Sequence, residues 1–296
     1  MRLTVRPGDA VRNGSLGVVV TGGTSGLGRA MARAFLLAGD RVVVCGRDPA
    51  RLDAAVRKLR SAVPGCELHG LVCDVSLPED VSAFAAFAVS KLGIVDRWIN
   101  NAGTAGRFRR TLWELDLSDI DETCRTNLSG TLMLCAEAVK VMRRQPFDGS
   151  GPPFHIFNMG FSLSGVRASP TAIPHRSSKR AVALTTEFLR RELKSAGIDS
   201  VGVHELSPGL VLTGLLLKDA GLRERRLFNA VADTSERVAA VLVPRIRSAR
   251  GVGGCIRFQP VILMLAKLLA SMSGFGKRRF FDDDGHRRSV VRRDAK

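Results

Sequence analysis

Thr21-Gly22-Gly23-Thr24-Ser25-Gly26-Leu27-Gly28 is the stretch on which the reading of this chain turns. The apolar run Leu16-Gly17-Val18-Val19-Val20 precedes it, and Arg29-Ala30-Met31-Ala32-Arg33-Ala34-Phe35-Leu36-Leu37 follows with helical spacing. A strand that turns through glycines into a helix leaves backbone N–H groups unpaired at the positive helix end, where a phosphate is well held. Three glycines alone carry little weight; strand, turn and helix in this order carry much more.

The alternation continues outward. Arg41–Cys45, Leu68–Cys73, Val95–Ile99, Pro153–Asn158 and Val201–Leu206 read as further strands. Helices are expected over residues 49–61, from Pro78 to about Leu92, over about 118–144 and over about 175–196. Strands alternating with helices predict an α/β fold, a Rossmann-type doubly wound parallel sheet with helices on both faces. The expected layout is an arm over residues 1–15, one domain over 16–258 that includes a substrate lid at about 210–232, and a helical extension over 259–296. Beyond Gly209 the pattern is mostly helical, and the charged stretch Asp282–Lys296 is expected to be loosely ordered.

The chain has 296 residues, 45% of them hydrophobic, enough for one sizeable core. There is no uninterrupted apolar run of about eighteen residues, so a transmembrane helix is not expected. Met1–Gly8 is too short and broken to read as a signal peptide, and no transit peptide is evident. The six cysteines form no CxxC pair, which suggests a reducing compartment, and the five histidines lack metal-ligand spacing, so no metal is expected. The net charge is +17, spread over short clusters such as Arg107/Arg109/Arg110 and Lys277-Arg278-Arg279. Dispersed arginines of this kind argue against a nucleic-acid groove and for attraction to an anionic membrane surface or an acidic partner. The apolar stretch Pro260–Ala270 has two readings: a helix packed on the core or on a second subunit, or an interfacial helix giving peripheral membrane contact through 260–280.

The cofactor can be argued from the second strand. An acid at its end favours NAD, whereas a nearby Arg accommodates the extra phosphate of NADP. Here it ends in Cys45-Gly46-Arg47, with no acid before the arginine, so NADPH is expected. Asp74, after the third strand, reads either as an acceptor for the adenine amine or as a simple cap at a helix start.

TGGTSGLG, Cys73-Asp74-Val75, Asn100-Asn101-Ala102-Gly103, Asn127, and Ser207-Pro208-Gly209 with Thr213 together resemble the short-chain dehydrogenase/reductase family, in order over roughly residues 15–215. The resemblance implies a cofactor held by Thr21, Gly22, Thr24, Ser25, Gly26, Leu27 and Gly28, by Arg47, Asp74 and Val75, by Asn101, Ala102 and Gly103, and by Lys179, Pro208, Gly209, Val211 and Thr213. Helices near 118–144 and 175–196 commonly form dimer faces in that family. A narrower resemblance, carried by His155–Met159, Ser207–Thr213, Leu215-Leu216-Leu217, Leu242–Arg247 and Phe281-Asp282-Asp283, is to the chlorophyll b reductases of plants and algae of the non-yellow-colouring type. It implies NADPH-dependent reduction of the formyl group of chlorophyll(ide) b to hydroxymethyl, on the stromal face of thylakoid membranes in the chloroplast, by a homo- or hetero-oligomer with a related reductase.

One departure falls on the chemistry: the chain contains no tyrosine. The family places a Tyr four residues before its Lys and a Ser about thirteen residues before the Tyr. Lys179 matches the lysine, His175 stands where the tyrosine belongs, and Ser162 matches the serine, with Ser164 as an alternative donor. The Lys, Ser and Asn127 roles carry over, Asn127 supporting a water relay to the lysine; the proton-donor role does not. A protonated imidazole is a competent acid near neutral pH. Lys179 one helical turn away opposes that protonation, and the imidazole is shorter than a phenol. Two readings therefore stand: an active reductase with altered proton donation, or a cofactor- and pigment-binding homologue that turns over weakly or not at all. Phe161, Leu163 and Leu212–Leu217 would line an apolar pocket for a large hydrophobic carbonyl compound.

Overall fold

The computed structural model describes residues 14–160, 169, 171–217, 220–260, 263, 266, 267, 269, 270, 279–282 and 284–288. Its strands are β1 (Gly17–Val20), β2 (Arg41–Gly46), β3 (Leu68–Val72), β4 (Arg97–Asn100), β5 (Phe154–Met159), β6 (Val201–Ser207) and β7 (Cys255–Arg257). They form one parallel sheet in the order β3-β2-β1-β4-β5-β6-β7. Every residue of β1, β4 and β5 is buried, as strands covered on both faces must be. Strand order reverses between β1 and β4, which opens a crevice at the carboxyl ends of those two strands.

The helices are α1 (Gly26–Leu37), α2 (Pro49–Ala62), α3 (Pro78–Leu92), α4 (Leu117–Cys124), α5 (Gly130–Met142), α6 (Ile173–Ser195), α7 (Gly214–Leu217), α8 (Leu222–Val231) and α9 (Ser235–Arg247). Side chains alternate across a strand, so Val18, Val20, Val42, Val44 and Phe157 pack against α1 and α9, whereas Val19, Val43, Trp98 and Ile156 pack against α3 and α5. A third, smaller cluster joins Leu216, Phe228, Phe280 and Phe281. At the amino ends of the strands the buried Arg97 guanidinium donates to the carbonyls of Asp96, Pro153, Ile246 and Arg247, two of which close the C-terminus of α9. Arg247 in turn pairs with the buried Asp40 at 2.8 Å. The Leu242–Arg247 motif thus serves the base of the sheet.

Several expectations need correction. β4 begins at Arg97 rather than Val95, because the Val95 backbone pairs with the Gln145 side-chain amide, its N–H donating to Oε1 and its carbonyl accepting from Nε2. The helix expected over 118–144 is α4, a π-helical turn at Arg125–Ser129 and α5. The helix expected from His175 starts at Ile173, with Pro174 in its first turn, where a missing N–H costs nothing. β7 was not expected at all, being three residues long with polar ends. Of the tail expected to be loose, residues 282 and 284–288 fold back, and Phe281 forms an antiparallel bridge with Arg287. Asn229 explains this: its Oδ1 accepts the N–H groups of Phe280 and Phe281, and its Nδ2 donates to the Phe281 carbonyl. Residues 1–13 of the arm, residues 261, 262, 264, 265 and 268 of the apolar stretch, and Lys277-Arg278 lie outside the described residues. No helix among the described residues is long and apolar enough to cross a membrane.

Candidate active site

The glycine turn sits at the crevice. Gly22 and Gly26 have φ of 66° and 50°, backbone that L side chains rarely adopt. A Cβ on Gly22 would lie 2.9 Å from the Ala102 Cα, and one on Gly26 would lie 3.0 Å from the Thr213 Cγ2. The Thr21 hydroxyl accepts the N–H groups of Asn101 and Ala102, and the Asn101 amide donates to the Thr21 and Gly22 carbonyls. β1 and β4 are thereby fastened where they diverge. Ser25, at the N-cap of α1, makes no side-chain cap hydrogen bond, and the first turn contains no acid. Open N–H groups beside backbone with no side chains in the way fit a dinucleotide phosphate.

Arg47 follows the end of β2 with its side chain exposed, and its Nη1 donates to Glu122 Oε1 at 2.9 Å. Glu122 also receives Arg107, and these two arginines hold its carboxyl below the usual range. Asp74 Oδ1 accepts the backbone N–H and the hydroxyl of Ser76, a turn leading into α3, so part of its capacity goes to the cap role. Val75 is buried beneath α5, where a Cβ on Gly130 would meet its carbonyl at 2.7 Å. On the opposite wall Pro208 and Gly209, with φ of 70°, lead into Val211, which bridges to Asp233. Thr213 then accepts the Leu216 N–H at the start of α7. The glycine turn and the Val211–Thr213 wall therefore meet, Gly26 lying against Thr213.

The reacting groups gather around Gly103. A Cβ there would lie 3.0 Å from Asn127 Oδ1 and 3.1 Å from Lys179 Nζ, so a glycine is what lets both approach the backbone. Asn127 is fully buried in the π-helical turn. Its Oδ1 accepts the Thr104 N–H, and its Nδ2 donates to the Thr104 carbonyl and to Ser178 Oγ. Ser178 donates in turn to the His175 carbonyl, which fixes α6 against the loop after β4. The Asn127 carbonyl accepts the Thr131 hydroxyl. Burial lowers the Lys179 ammonium to about 8. His175 is buried too, and its Nδ1 lies 2.8 Å from the Thr171 hydroxyl. Burial first, then the charges of Lys179 and Arg109, push its imidazole down to about 3.

His175, Lys179 and Asn127 thus come together as the spacing predicts. Ser162, Ser164, Phe161 and Leu163 lie outside the described residues. Sequence reasoning missed Thr171 and Ser178, which carry no motif, and Arg109, read only as part of a charge cluster. It also missed Asp282, Asp284 and His286, which the tail fold brings within 4.8 Å of one another at the surface.

Comparison with known proteins places this geometry. The short chain dehydrogenase family model matches residues 17–220. A probable chloroplastic chlorophyll(ide) b reductase from Oryza sativa subsp. japonica is 38% identical over 92% of this chain and 55% of its own length. A chloroplastic chlorophyll(ide) b reductase from Arabidopsis thaliana is 35% identical over 90% of this chain and 77% of its own. The chain spans little more than half the length of the first two curated relatives it matches. A solved short chain dehydrogenase/reductase from Burkholderia phymatum, in complex with NAD, superposes with a TM-score of 0.68 at 27% identity, covering 92% of this chain and 97% of that one. With the family match extending from β1 to the end of α7, the chain belongs to the short chain dehydrogenase family.

Proposed function

We propose that the protein is an NADPH-dependent carbonyl reductase that converts the formyl group of chlorophyll(ide) b to hydroxymethyl. The observation that carries this reading is the 35–38% identity to reductases bearing that name, over nine-tenths of the chain. The nicotinamide, when bound, supplies the hydride. The chain's own residues hold the carbonyl and supply the proton. The Thr171 hydroxyl and His175 Nδ1 share a hydrogen bond, and in the tautomer with its hydrogen on Nε2 the neutral ring would hydrogen-bond the carbonyl oxygen. At a pKa of about 3, only about one ring in 10⁴ is an imidazolium at pH 7. His175 is therefore a hydrogen-bond donor, and the Lys179 ammonium is the acid matched to neutral pH. Leu215 of α7, exposed beside the packed Leu216, offers apolar surface to a tetrapyrrole.

Chloroplast location comes from the relatives' names, and the thylakoid surface is the natural place to meet such a pigment. A homo- or hetero-oligomer is supported by the exposed Leu184 and Phe188 on α6 and Leu132 on α5. The direct test mixes purified protein, NADPH and chlorophyllide b and follows loss of the formyl absorption. His175→Tyr, which restores a phenol one turn before Lys179, is expected to raise the rate at least ~10-fold, since general acid catalysis contributes roughly 10²–10⁴-fold. Tight NADPH binding without turnover in either protein would favour the second reading, a pigment- and cofactor-binding homologue, for which the neutral, buried His175 is the supporting observation.

Arg47 gives an independent check on the cofactor. A guanidinium on the 2′-phosphate makes charge-assisted hydrogen bonds, so Arg47→Ala is expected to raise the KM for NADPH roughly 10- to 100-fold and leave the KM for NADH nearly unchanged. Equal effects on both cofactors, in initial-rate kinetics, would assign Arg47 to its partner Glu122 instead.

A further inference from the structure

Arg109 is the one arginine of its loop without a settled role. Arg107 pairs with Glu122, and the Arg110 guanidinium lies over the exposed Phe108 ring, 4.7 Å from its centre. Arg109 is instead turned inward, with a tenth of its side chain exposed. Its Nη2 donates to the Leu216 carbonyl in α7, but its buried Nε and Nη1 have no hydrogen-bond partner. Glu224 of α8 stands 3.9 Å from Nη1, beyond hydrogen-bond reach, and its Oε2 accepts the Gly221 N–H. These donors belong to a cation and are closed off from the surface. A buried charged donor left unsatisfied is costlier than a neutral one, and an anion delivered by a ligand would recover that cost.

Its surroundings say which anion. Phosphates of the cofactor would be held at the uncapped N-terminus of α1. Arg109 is tied to the apolar α7 segment, and its charge is among those that lower the His175 imidazole. An anion here belongs to the molecule whose carbonyl His175 addresses. We propose that Arg109 binds a carboxylate carried by the carbonyl substrate, so that the site takes a large apolar aldehyde bearing a free acid in preference to its ester. This rests on the carbonyl-reductase reading and narrows it to the de-esterified form of the substrate.

The test uses the full chain with NADPH bound, titrated with chlorophyllide b and with its methyl ester. Binding is read from quenching of Trp98 and Trp113 fluorescence, and turnover is followed separately. The wild-type protein is expected to bind the acid at least ~10-fold tighter than the ester. Arg109→Met is expected to bring that ratio to about one, and Arg109→Lys, which keeps the charge and serves if the methionine variant does not fold, to retain part of it. Equal binding of acid and ester by the wild type overturns the proposal. So does a variant that weakens both alike, which would make Arg109 a tether for α7, or one that weakens NADPH while the acid preference persists, which would make it a cofactor ligand. An acid preference abolished by Arg109→Met, with no turnover of either pigment, would sink the reductase reading and leave the carboxylate site standing.

Discussion

Lys179→Met is expected to lower kcat by at least ~10³-fold while leaving the thermal midpoint unchanged or higher. The two halves of this result have one cause. Burial lowers the Lys179 ammonium from its ordinary 10.5 to about 8, so the fold holds the charged form at a cost. The cost is present in full below pH 8 and is relieved as pH rises from about 8 towards 10.5. Methionine removes the charge and keeps most of the volume, so stability is retained while the group matched to donate a proton is gone. In the wild type, kcat/KM for reduction is expected to fall as pH rises through about 8, and Lys179→Arg to move that limb upward, because a guanidinium does not titrate there. No limb is expected near 6.5, since His175 stays neutral throughout that range. A kcat/KM profile that falls through 6.5 would show an imidazolium doing the work and would overturn these roles.

Gly28→Ala is expected to cost at least ~100-fold in NADPH affinity, a larger effect than its single methyl suggests. The added Cβ would lie 2.2 Å from the Gly22 carbonyl oxygen and 2.4 Å from Asn101 Nδ2. The first is backbone; the second is the amide that fastens the Thr21 and Gly22 carbonyls. Neither yields alone, so the turn itself must open, and with it the approach of Gly22 to Ala102. Overpacking of this kind costs typically ~1–3 kcal/mol. At about 2–4 °C per kcal/mol for a domain approaching this size, the midpoint should fall by roughly 2–12 °C. Gly209→Ala provides the contrast. Its Cβ would meet nothing within 4 Å, which leaves only the left-handed φ to resist it, about 1 kcal/mol. Fluorescence titration with NADPH should separate the two variants clearly. Wild-type affinity in Gly28→Ala would show that the turn does not bind the phosphate.

Much of this was legible because it depends on short-range rules. Valine runs bounded by turns became buried strands, and glycines between a strand and a helix became left-handed turns at the crevice. Spacing of four residues put His175 and Lys179 on one helix face, both buried as the chemistry requires. What escaped was decided at a distance. The three-residue β7 exists because β6 offers it an edge. The π-helical turn at Asn127 leaves no compositional trace, yet it holds the amide that spans Thr104 and Ser178. Arg109 looked like its neighbours in a basic cluster, and only the packed structure turns it inward. Motifs outside the common family pattern were read as a resemblance to chlorophyll b reductases, which the curated relatives bear out. Several of them also serve packing: buried His155 contacts His204 at 2.9 Å, and Asn158 joins Asn100 and Thr186.

Asn229 gives the wall beside the cofactor crevice a mechanical property. Leu216 and Phe228 of that wall pack on Phe280 and Phe281, two rings whose backbone is held by hydrogen bonds from the Asn229 amide side chain. Swinging that wall outward means drawing both rings from their socket, so the mouth and the chain's far end move as a latch and its bolt.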